Sequence, residues 1–264
     1  MNKTRNSNIE IIRIISIIMI VISHYCVHGV LNPSTMPLGL NRFLLEIFTL
    51  GNIGTVLFIL ISGYFMINSK EIKLKKLIRL ILQVMFYSII IYIIIVLTRQ
   101  EPFSIKDAIK NIFPITFKEY WFASTYIMLY ILSPFINKFL NSLTRKEHFV
   151  FVSVLLLIFS LLHTLTAQDF YGNVLIEFIM FYSIGAYLFK YPNNLLKKYN
   201  IKISIVSIVL IILSIICFDL LGTKITIFSD NSRYLLSRTS PLTILFCVGL
   251  FEYLLSKKVI VINL

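Results

Sequence analysis

Long apolar segments separated by short basic ones constrain the fold of this chain more than any other feature. Several runs of Ile, Leu, Val and Phe reach about twenty residues, the length that an α-helix needs to cross a bilayer. Hydrophobic residues make up 58% of the chain and charged residues 14%, whereas a soluble domain is about half apolar and a quarter charged. The runs do not alternate over roughly ten residues, as β-barrel strands do. The sequence therefore predicts an all-α integral membrane protein, built as a polytopic bundle.

The apolar segments predict about eight transmembrane helices. These are 9–30, 48–68, 77–98, 120–140, 149–167, 174–190, 201–220 and 239–256. The segment 41–52, NRFLLEIFTLGN, is predicted to form an interfacial helix. No internal repeat or low-complexity linker divides the chain, so we predict a single domain over residues 1–264.

The basic residues predict the orientation of the bundle. Lys and Arg concentrate before the first span and after the second, fourth, sixth and eighth spans, most densely in 68–79, NSKEIKLKKLIR. Since cytoplasmic loops carry the excess of Lys and Arg, we predict a cytoplasmic N-terminus. Membrane topology thus explains the net charge of +13 and argues against nucleic acid as a partner. The first span is expected to be retained rather than cleaved as a signal peptide, because Arg13 interrupts it and no small-residue cleavage site follows.

The first predicted span carries polar residues that a membrane anchor does not need. They are Glu10, Arg13, His24 and His28. Arg13 and His24 are about three helical turns apart, so all four side chains lie along one face, which we expect to point into the bundle or a wet cavity. Two interpretations stay open. In the first, Arg13 extends to the lipid headgroups with Glu10 as its partner, and His24 is a structural hydrogen bonder. In the second, His24 transfers protons.

Four stretches, in order, resemble the membrane-bound acyltransferase-3 family. NIEIIRIISIIMIVISHY (8–25) is similar to its opening helix, in which ten residues separate an Arg from a His. LFILISGYFM (57–66) resembles its Ser-Gly-Tyr helix, YWFASTYIMLYILSPFINKFL (120–140) its Leu-Ser-Pro helix, and FYSIGAYLFKY (181–191) its Gly-Ala-Tyr helix. The resemblance covers nearly the whole chain.

The resemblance implies transfer of an acyl group, usually acetyl from acetyl-CoA, to a hydroxyl of an envelope or capsular polysaccharide. It implies that His24 is catalytic and Arg13 supports it. The family's Arg-x-x-Arg pair, which serves the acyl-CoA donor, corresponds to Lys76 and Arg79, and Lys76 lacks the bidentate fork of Arg. Acyl-CoA is thus expected as a co-substrate, with no permanently bound cofactor. The acceptor is expected to be an envelope polysaccharide or a lipid-linked sugar, and the chain a multi-pass protein of a bacterial plasma membrane.

Several roles stay open at this point. His24 either deprotonates the acceptor hydroxyl or carries the acyl group itself. Trp121 either binds the acceptor sugar or anchors a helix at the interface. Asp219 is a candidate partner for Arg13 or His24, as are two further carboxylates, Glu177 and Glu252. The three cysteines lack metal-ligand spacing, so no metal site is expected.

The chain ends soon after the eighth predicted span, whereas family members usually continue for two more helices. We therefore expect a C-terminally truncated member, and an inactive remnant is one alternative. A transporter or flippase of a lipid-linked sugar is another, since such proteins also bury Arg, His and Glu, but they more often show repeated halves. A polysaccharide polymerase would usually have a larger external loop.

Overall fold

The computed structural model describes residues 7–28, 36–98, 100–168, 173–192 and 194–257. All regular elements within these ranges are helical. Six helical segments are long and apolar enough to cross a membrane: Asn8–Val27, Leu40–Met66, Leu74–Leu97, Arg145–Thr166, Leu196–Gly222 and Tyr234–Ser256. The predicted all-α membrane fold is confirmed for this part of the chain.

The helices follow one another with short connections. They are α1 (Ser7–His28), α2 (Leu40–Phe48), α3 (Gly51–Met66), α4 (Leu74–Leu97), α5 (Ile105–Ile112), α6 (Trp121–Ser142), α7 (Arg145–Leu156), α8 (His163–Thr166), α9 (Val174–Lys190), α10 (Asn194–Gly222), α11 (Thr226–Asp230) and α12 (Pro241–Ser256). A π-helical stretch, Leu157–Leu162, joins α7 to α8, and a 3₁₀ turn, Tyr234–Leu236, precedes α12.

The predicted count of eight spans is not confirmed, and the cytoplasmic N-terminus stays a prediction. The predicted spans 120–140 and 174–190 correspond to α6 and α9, which are helices but are absent from the six. With 17 residues, α9 is shorter than the roughly 20 that a span needs. In α6, the polar side chains of Asn137, Lys138 and Asn141 lower the apolar character of its second half.

The chain divides into two compact units, each discontinuous in sequence. The large unit comprises Met1–Phe65, Arg145–Gly172 and Met180–Leu264, and the small unit comprises Met66–Thr144 and Asn173–Ile179. The prediction of a single domain stays a prediction.

In the large unit, two motif glycines explain how α3 and α9 pack. A Cβ atom at Gly63 would collide with the backbone carbonyl of Tyr182, and one at Gly185 would collide with that of Leu60. Each glycine therefore faces the backbone of the other helix, the close approach that small residues permit between membrane helices. This contact accounts for the glycines of both the Ser-Gly-Tyr and the Gly-Ala-Tyr stretches.

Two other glycines of α3 allow α1 to pack closely against it. A Cβ atom at Gly54 would lie 2.5 Å from the carbonyl oxygen of Ser16, and one at Gly51 would lie 2.5 Å from Cβ of Ser23. Ser16 is fully buried, whereas the Ile and Val side chains on the opposite side of α1 are exposed. The serine side of α1 is therefore the side that packs against α3.

In the small unit, the Leu-Ser-Pro stretch of α6 compensates for its own proline. Pro134 has no N–H, so the carbonyl of Tyr130 lacks its helical donor. The hydroxyl of Ser133 donates to that carbonyl at 2.8 Å. Tyr130 and Ile127 of α6 form the core of the small unit with Leu77 of α4. The serine thus allows a proline inside a helix without a buried carbonyl being left unpaired.

Candidate active site

Arg13 is held on α1 by two neighbours in the large unit. Its Nη1 donates to Oε1 of Glu10 at 3.1 Å, one helical turn earlier. Its guanidinium also lies over the ring of Phe65, 5.7 Å from the ring centre. Both members of the ion pair are partly exposed, with 36% of the Arg13 side chain and 39% of the Glu10 side chain accessible. Arg13 therefore presents a fixed positive charge at a surface, rather than a buried one.

The geometry of His24 defines which of its nitrogens is basic. Its Nδ1 lies 2.8 Å from the backbone carbonyl oxygen of Ile20. Because a carbonyl oxygen only accepts hydrogen bonds, Nδ1 is the donor in this contact, and in the neutral ring Nε2 is the nitrogen with the lone pair. In this tautomer Nε2 can take a proton from a hydroxyl group or attack an acyl carbon.

His24 does not lie in the tightly packed interior of the bundle. Its side chain is exposed, and α1 instead buries the side that carries Ser16 and Cys26. The side chain of His28, the last polar residue of the predicted face, lies outside the described residues.

The two predicted donor residues, Lys76 and Arg79, have different surroundings in the small unit. The Nζ atom of Lys76 lies 5.8 Å from the ring centre of Tyr130. The hydroxyl of Tyr130 also accepts a hydrogen bond from the backbone N–H of Lys73, at 3.3 Å. Lys76 is thus turned towards α6 at the point where Tyr130 fixes the beginning of α4.

Arg79 lines a shallow, open groove of about 790 Å³ on the exposed surface of α4. Its lining comprises Lys75, Arg79 and Gln83 together with the apolar side chains Ile78, Leu82, Met85, Phe86, Tyr87 and Ile89. The two cations lie at one end of the groove, one turn apart, and the apolar side chains continue from them along the helix. The groove therefore pairs Arg79 with Lys75, a residue that the sequence analysis had not selected.

Trp121 begins α6 and belongs to an aromatic cluster of the small unit. Its ring meets Phe122 edge to face at 5.8 Å and Phe178 at 6.4 Å, and Phe178 is fully buried. The ring of Phe122 in turn stacks on that of Tyr126 at 6.4 Å. Trp121 is itself partly exposed. An indole held in this way offers one edge to its surroundings, and this is compatible with either role that the sequence left open.

Sequence reasoning missed a buried group of charges in the large unit. Nε of Arg42 lies 3.0 Å from Oε1 of Glu46 and 3.4 Å from Oδ1 of Asp219. The hydroxyl of Ser232 donates to the same Glu46 oxygen at 2.6 Å. Arg42 is 5% exposed and Glu46 0%. Asp219, which the sequence offered as one of three candidate partners for Arg13 or His24, therefore pairs with Arg42.

This charge cluster begins in the predicted segment 41–52. A helix does form there, as α2, and its charged residues Arg42 and Glu46 are buried. Its interfacial position stays a prediction. Their spacing of four residues, which places opposite charges on one helix face, was the available signal. Nearby, burial lowers the pKa of the Arg233 guanidinium, and the carboxylate of Glu46 opposes this shift. Oε2 of Glu46 has no hydrogen-bond partner among the described residues.

Comparisons with known proteins add one finding to this geometry. No curated protein and no solved structure matches the chain. A family model described as an acyltransferase domain matches residues 6–263, a range that includes His24 and all four stretches on which the resemblance rests. The chain therefore belongs to the acyltransferase-3 family and is a membrane acyltransferase.

Proposed function

We propose that this protein transfers an acyl group, in the simplest case acetyl, from acyl-CoA to a hydroxyl of a bacterial envelope or capsular polysaccharide. The observation that carries the proposal is the state of His24. Its Nδ1 is committed to the carbonyl of Ile20, so the basic Nε2 belongs to an exposed side chain on a membrane helix. A positioned neutral imidazole is the commonest proton-transfer group of enzymes near neutral pH.

Two routes are available to Nε2, and both balance. In the first, Nε2 removes the acceptor's proton, the oxygen attacks the thioester carbonyl, the C–S bond breaks, and the coenzyme A thiolate takes the proton back from the imidazolium. In the second, Nε2 itself attacks the thioester carbonyl and the thiolate leaves. The acceptor oxygen then displaces the imidazole from the acyl carbon, and the coenzyme A thiolate takes the proton that the acceptor hydroxyl loses. The hydrogen bond to Ile20 holds the ring in the required tautomer in both routes.

Arg13 has a supporting role in this proposal. Glu10 and Phe65 hold its guanidinium, which still has further N–H groups to donate. A fixed cation of this kind stabilises negative charge that develops on an oxygen, because the charge needs no reorganisation when the reaction occurs. Because Arg13 and His24 are about three helical turns apart, Arg13 is suited to bind an anionic group of the donor rather than the reacting carbonyl.

For the donor, we assign the phosphate contacts on α4 to Lys75 and Arg79 rather than to Lys76. The groove places these two cations at one end of an apolar surface, which suits a molecule that joins phosphates to a thioester arm. Lys75→Gln is expected to raise the KM for acyl-CoA about tenfold, the scale of one charge-assisted hydrogen bond, with kcat little changed. Lys76→Gln, one residue away but turned to Tyr130, is the matched control and should change KM less. A larger effect of Lys76→Gln would overturn this assignment.

The function itself is tested by acyl transfer in membranes that contain the full chain. Labelled acetyl-CoA is supplied with envelope polysaccharide, and incorporation is compared for the wild type and His24→Ala. Loss of a general base or nucleophile should lower the rate about 100-fold or more. His163→Ala is a suitable control, since Nδ1 of His163 also contacts a backbone carbonyl, that of Gln168, at 3.0 Å. Equal incorporation in the wild type and His24→Ala would refute the role of His24.

A second measurement separates the two routes. The wild type is incubated with labelled acetyl-CoA in the absence of acceptor and then quenched. Label that stays on the protein, and is absent from His24→Ala, indicates an acyl-imidazole and hence the carrier route. Turnover with acceptor but no label on the protein indicates the general-base route.

A further inference from the structure

A cavity of about 510 Å³ in the small unit is lined by none of the residues to which the sequence analysis gave a catalytic or binding role. One wall is the segment that follows Met66 and the other is the second half of α6. The polar residues that line it are Asn68, Ser69, Lys70, Asn137, Lys138 and Asn141. Its volume falls in the range of small-molecule sites, about 300–1,000 Å³. The cavity is therefore large enough to hold a nucleotide.

Hydrogen bonds to the backbone fix the shape of this cavity. Nδ2 of Asn137 donates to the carbonyl of Met66 at 2.6 Å and to that of Ser69 at 2.9 Å. One turn later, Nδ2 of Asn141 donates to the carbonyl of Ile67 at 3.0 Å. Because Asn137 is 2% exposed, these bonds are shielded from water. The two walls are thus held together before any ligand binds, which reduces the entropic cost of binding.

The charges of the cavity select an anion. Lys70 belongs to one wall and Lys138 to the other, and both side chains are exposed. None of the residues described as lining the cavity is acidic. Membrane topology alone explains lysines on this side of the bundle. It does not explain why two of them converge on a cavity whose walls are held by amides, and lysine is a common partner of phosphate.

The cavity is adjacent to the beginning of α4. Pro134, which lines the cavity, is one helical turn beyond Tyr130, and Tyr130 contacts both Lys73 and Lys76. The same stretch of α6 therefore supports the cavity and the helix that carries Arg79.

We propose that this cavity binds the 3′-phosphorylated adenosine end of coenzyme A, with Lys70 and Lys138 on the 3′-phosphate. The proposal rests on the proposed function, in which acyl-CoA is the donor. Coenzyme A carries a ribose 3′-phosphate at this end and a 5′-diphosphate nearer its thioester arm, so Lys75 and Arg79 contact the second group. The side-chain amide of Asn68, which is exposed at the cavity, offers an oxygen to the amino group of adenine.

The test uses the purified full chain in nanodiscs and measures the binding of coenzyme A and of dephospho-coenzyme A, which lacks only the 3′-phosphate. The wild type should bind coenzyme A about tenfold more tightly or better, the scale of one charge-assisted hydrogen bond. The double variant Lys70→Gln/Lys138→Gln should lose this preference. The variant removes no hydrogen bond that joins the two walls. Lys146→Gln, which changes a lysine outside the cavity lining, is the matched control and should keep the preference.

Adenosine 3′,5′-bisphosphate should compete with coenzyme A in the wild type and fail to do so in the double variant. The proposed site is refuted if the wild type binds coenzyme A no more tightly than dephospho-coenzyme A. It is also refuted if the double variant keeps the preference for coenzyme A. Displacement of coenzyme A by phosphatidylglycerol as effectively as by the bisphosphate would overturn it too, because the cavity would then select a lipid headgroup. If coenzyme A binding depends on Lys70 and Lys138 but the chain transfers no acetyl group, the proposed function is refuted and the proposed binding site is retained.

Discussion

The buried charges around Arg42 give the sharpest test of the fold. Arg42 is the cation that contacts both Glu46 and Asp219, at 3.0 and 3.4 Å. Arg42→Met keeps a long apolar side chain of similar reach but removes the charge. Two carboxylates would then remain without it, one of them on a residue that is 0% exposed. We therefore expect Arg42→Met to destabilise the large unit strongly.

The magnitude follows from the burial of the pair. Removal of one partner of a buried ion pair typically costs about 3–5 kcal/mol, because the remaining charge is left in a medium of low dielectric constant. Part of this loss should be recovered in the triple variant Arg42→Met/Glu46→Gln/Asp219→Asn, which also removes both carboxylate charges and keeps a side-chain oxygen that accepts from Ser232. The free energy of unfolding is measured by denaturant titration in detergent micelles, with helical circular dichroism as the signal.

An exposed ion pair elsewhere provides the control. Nζ of Lys110 lies 3.6 Å from Oδ1 of Asp107, and 35% and 48% of these side chains are accessible. Lys110→Met should cost at most about 1 kcal/mol, the usual value for a surface pair. If Arg42→Met cost no more than Lys110→Met, or if the triple variant were less stable than Arg42→Met alone, the argument from uncompensated charge would be refuted.

Two further predictions concern the packing of two helices and the hydrogen bond to a buried backbone carbonyl. Gly63→Ala should cost about 1–3 kcal/mol of stability, since its methyl group would meet the backbone of α9, which cannot move aside as a flexible side chain can. Gly39→Ala, with no atom within 4 Å of the added methyl, should be close to neutral in the same denaturant titration, and equal losses would contradict the proposed helix contact. Ser133→Ala should cost about 1–3 kcal/mol, because it leaves the buried carbonyl of Tyr130 without a donor beside Pro134. Ser142→Ala is its control, because this exposed hydroxyl makes an equivalent bond, 2.7 Å to a carbonyl three residues earlier; a comparable loss there would show that burial does not matter.

Much of the local structure of this chain can be predicted from its sequence. Apolar runs of membrane length predict helices because lipid offers no partner for backbone N–H and C=O groups. Because residues three apart are neighbours on a helix, Glu10 is expected beside Arg13, and the structure contains that ion pair. The missing side chain of Gly63 permits the close packing observed there, although the sequence does not name the helix that approaches it.

The contacts between helices are what the sequence could not supply. Lys75 and Lys76 are both neighbours of Arg79 on an isolated helix, because residues three and four apart share a face. Only the position of Tyr130 turns Lys76 towards α6 and leaves Lys75 in the groove. Likewise, nothing local predicts that Asp219 meets a cation far away in the chain.

The sequence by itself determined that this chain is helical and built for a membrane, that it belongs to the acyltransferase-3 family, and which helix carries His24. Tertiary structure alone decided which polar groups are buried, which cations share a groove, and where Asn137 closes a cavity. The physical reason is that helical periodicity fixes the angle of each side chain about its own axis, whereas the neighbour it meets depends on how the helices pack.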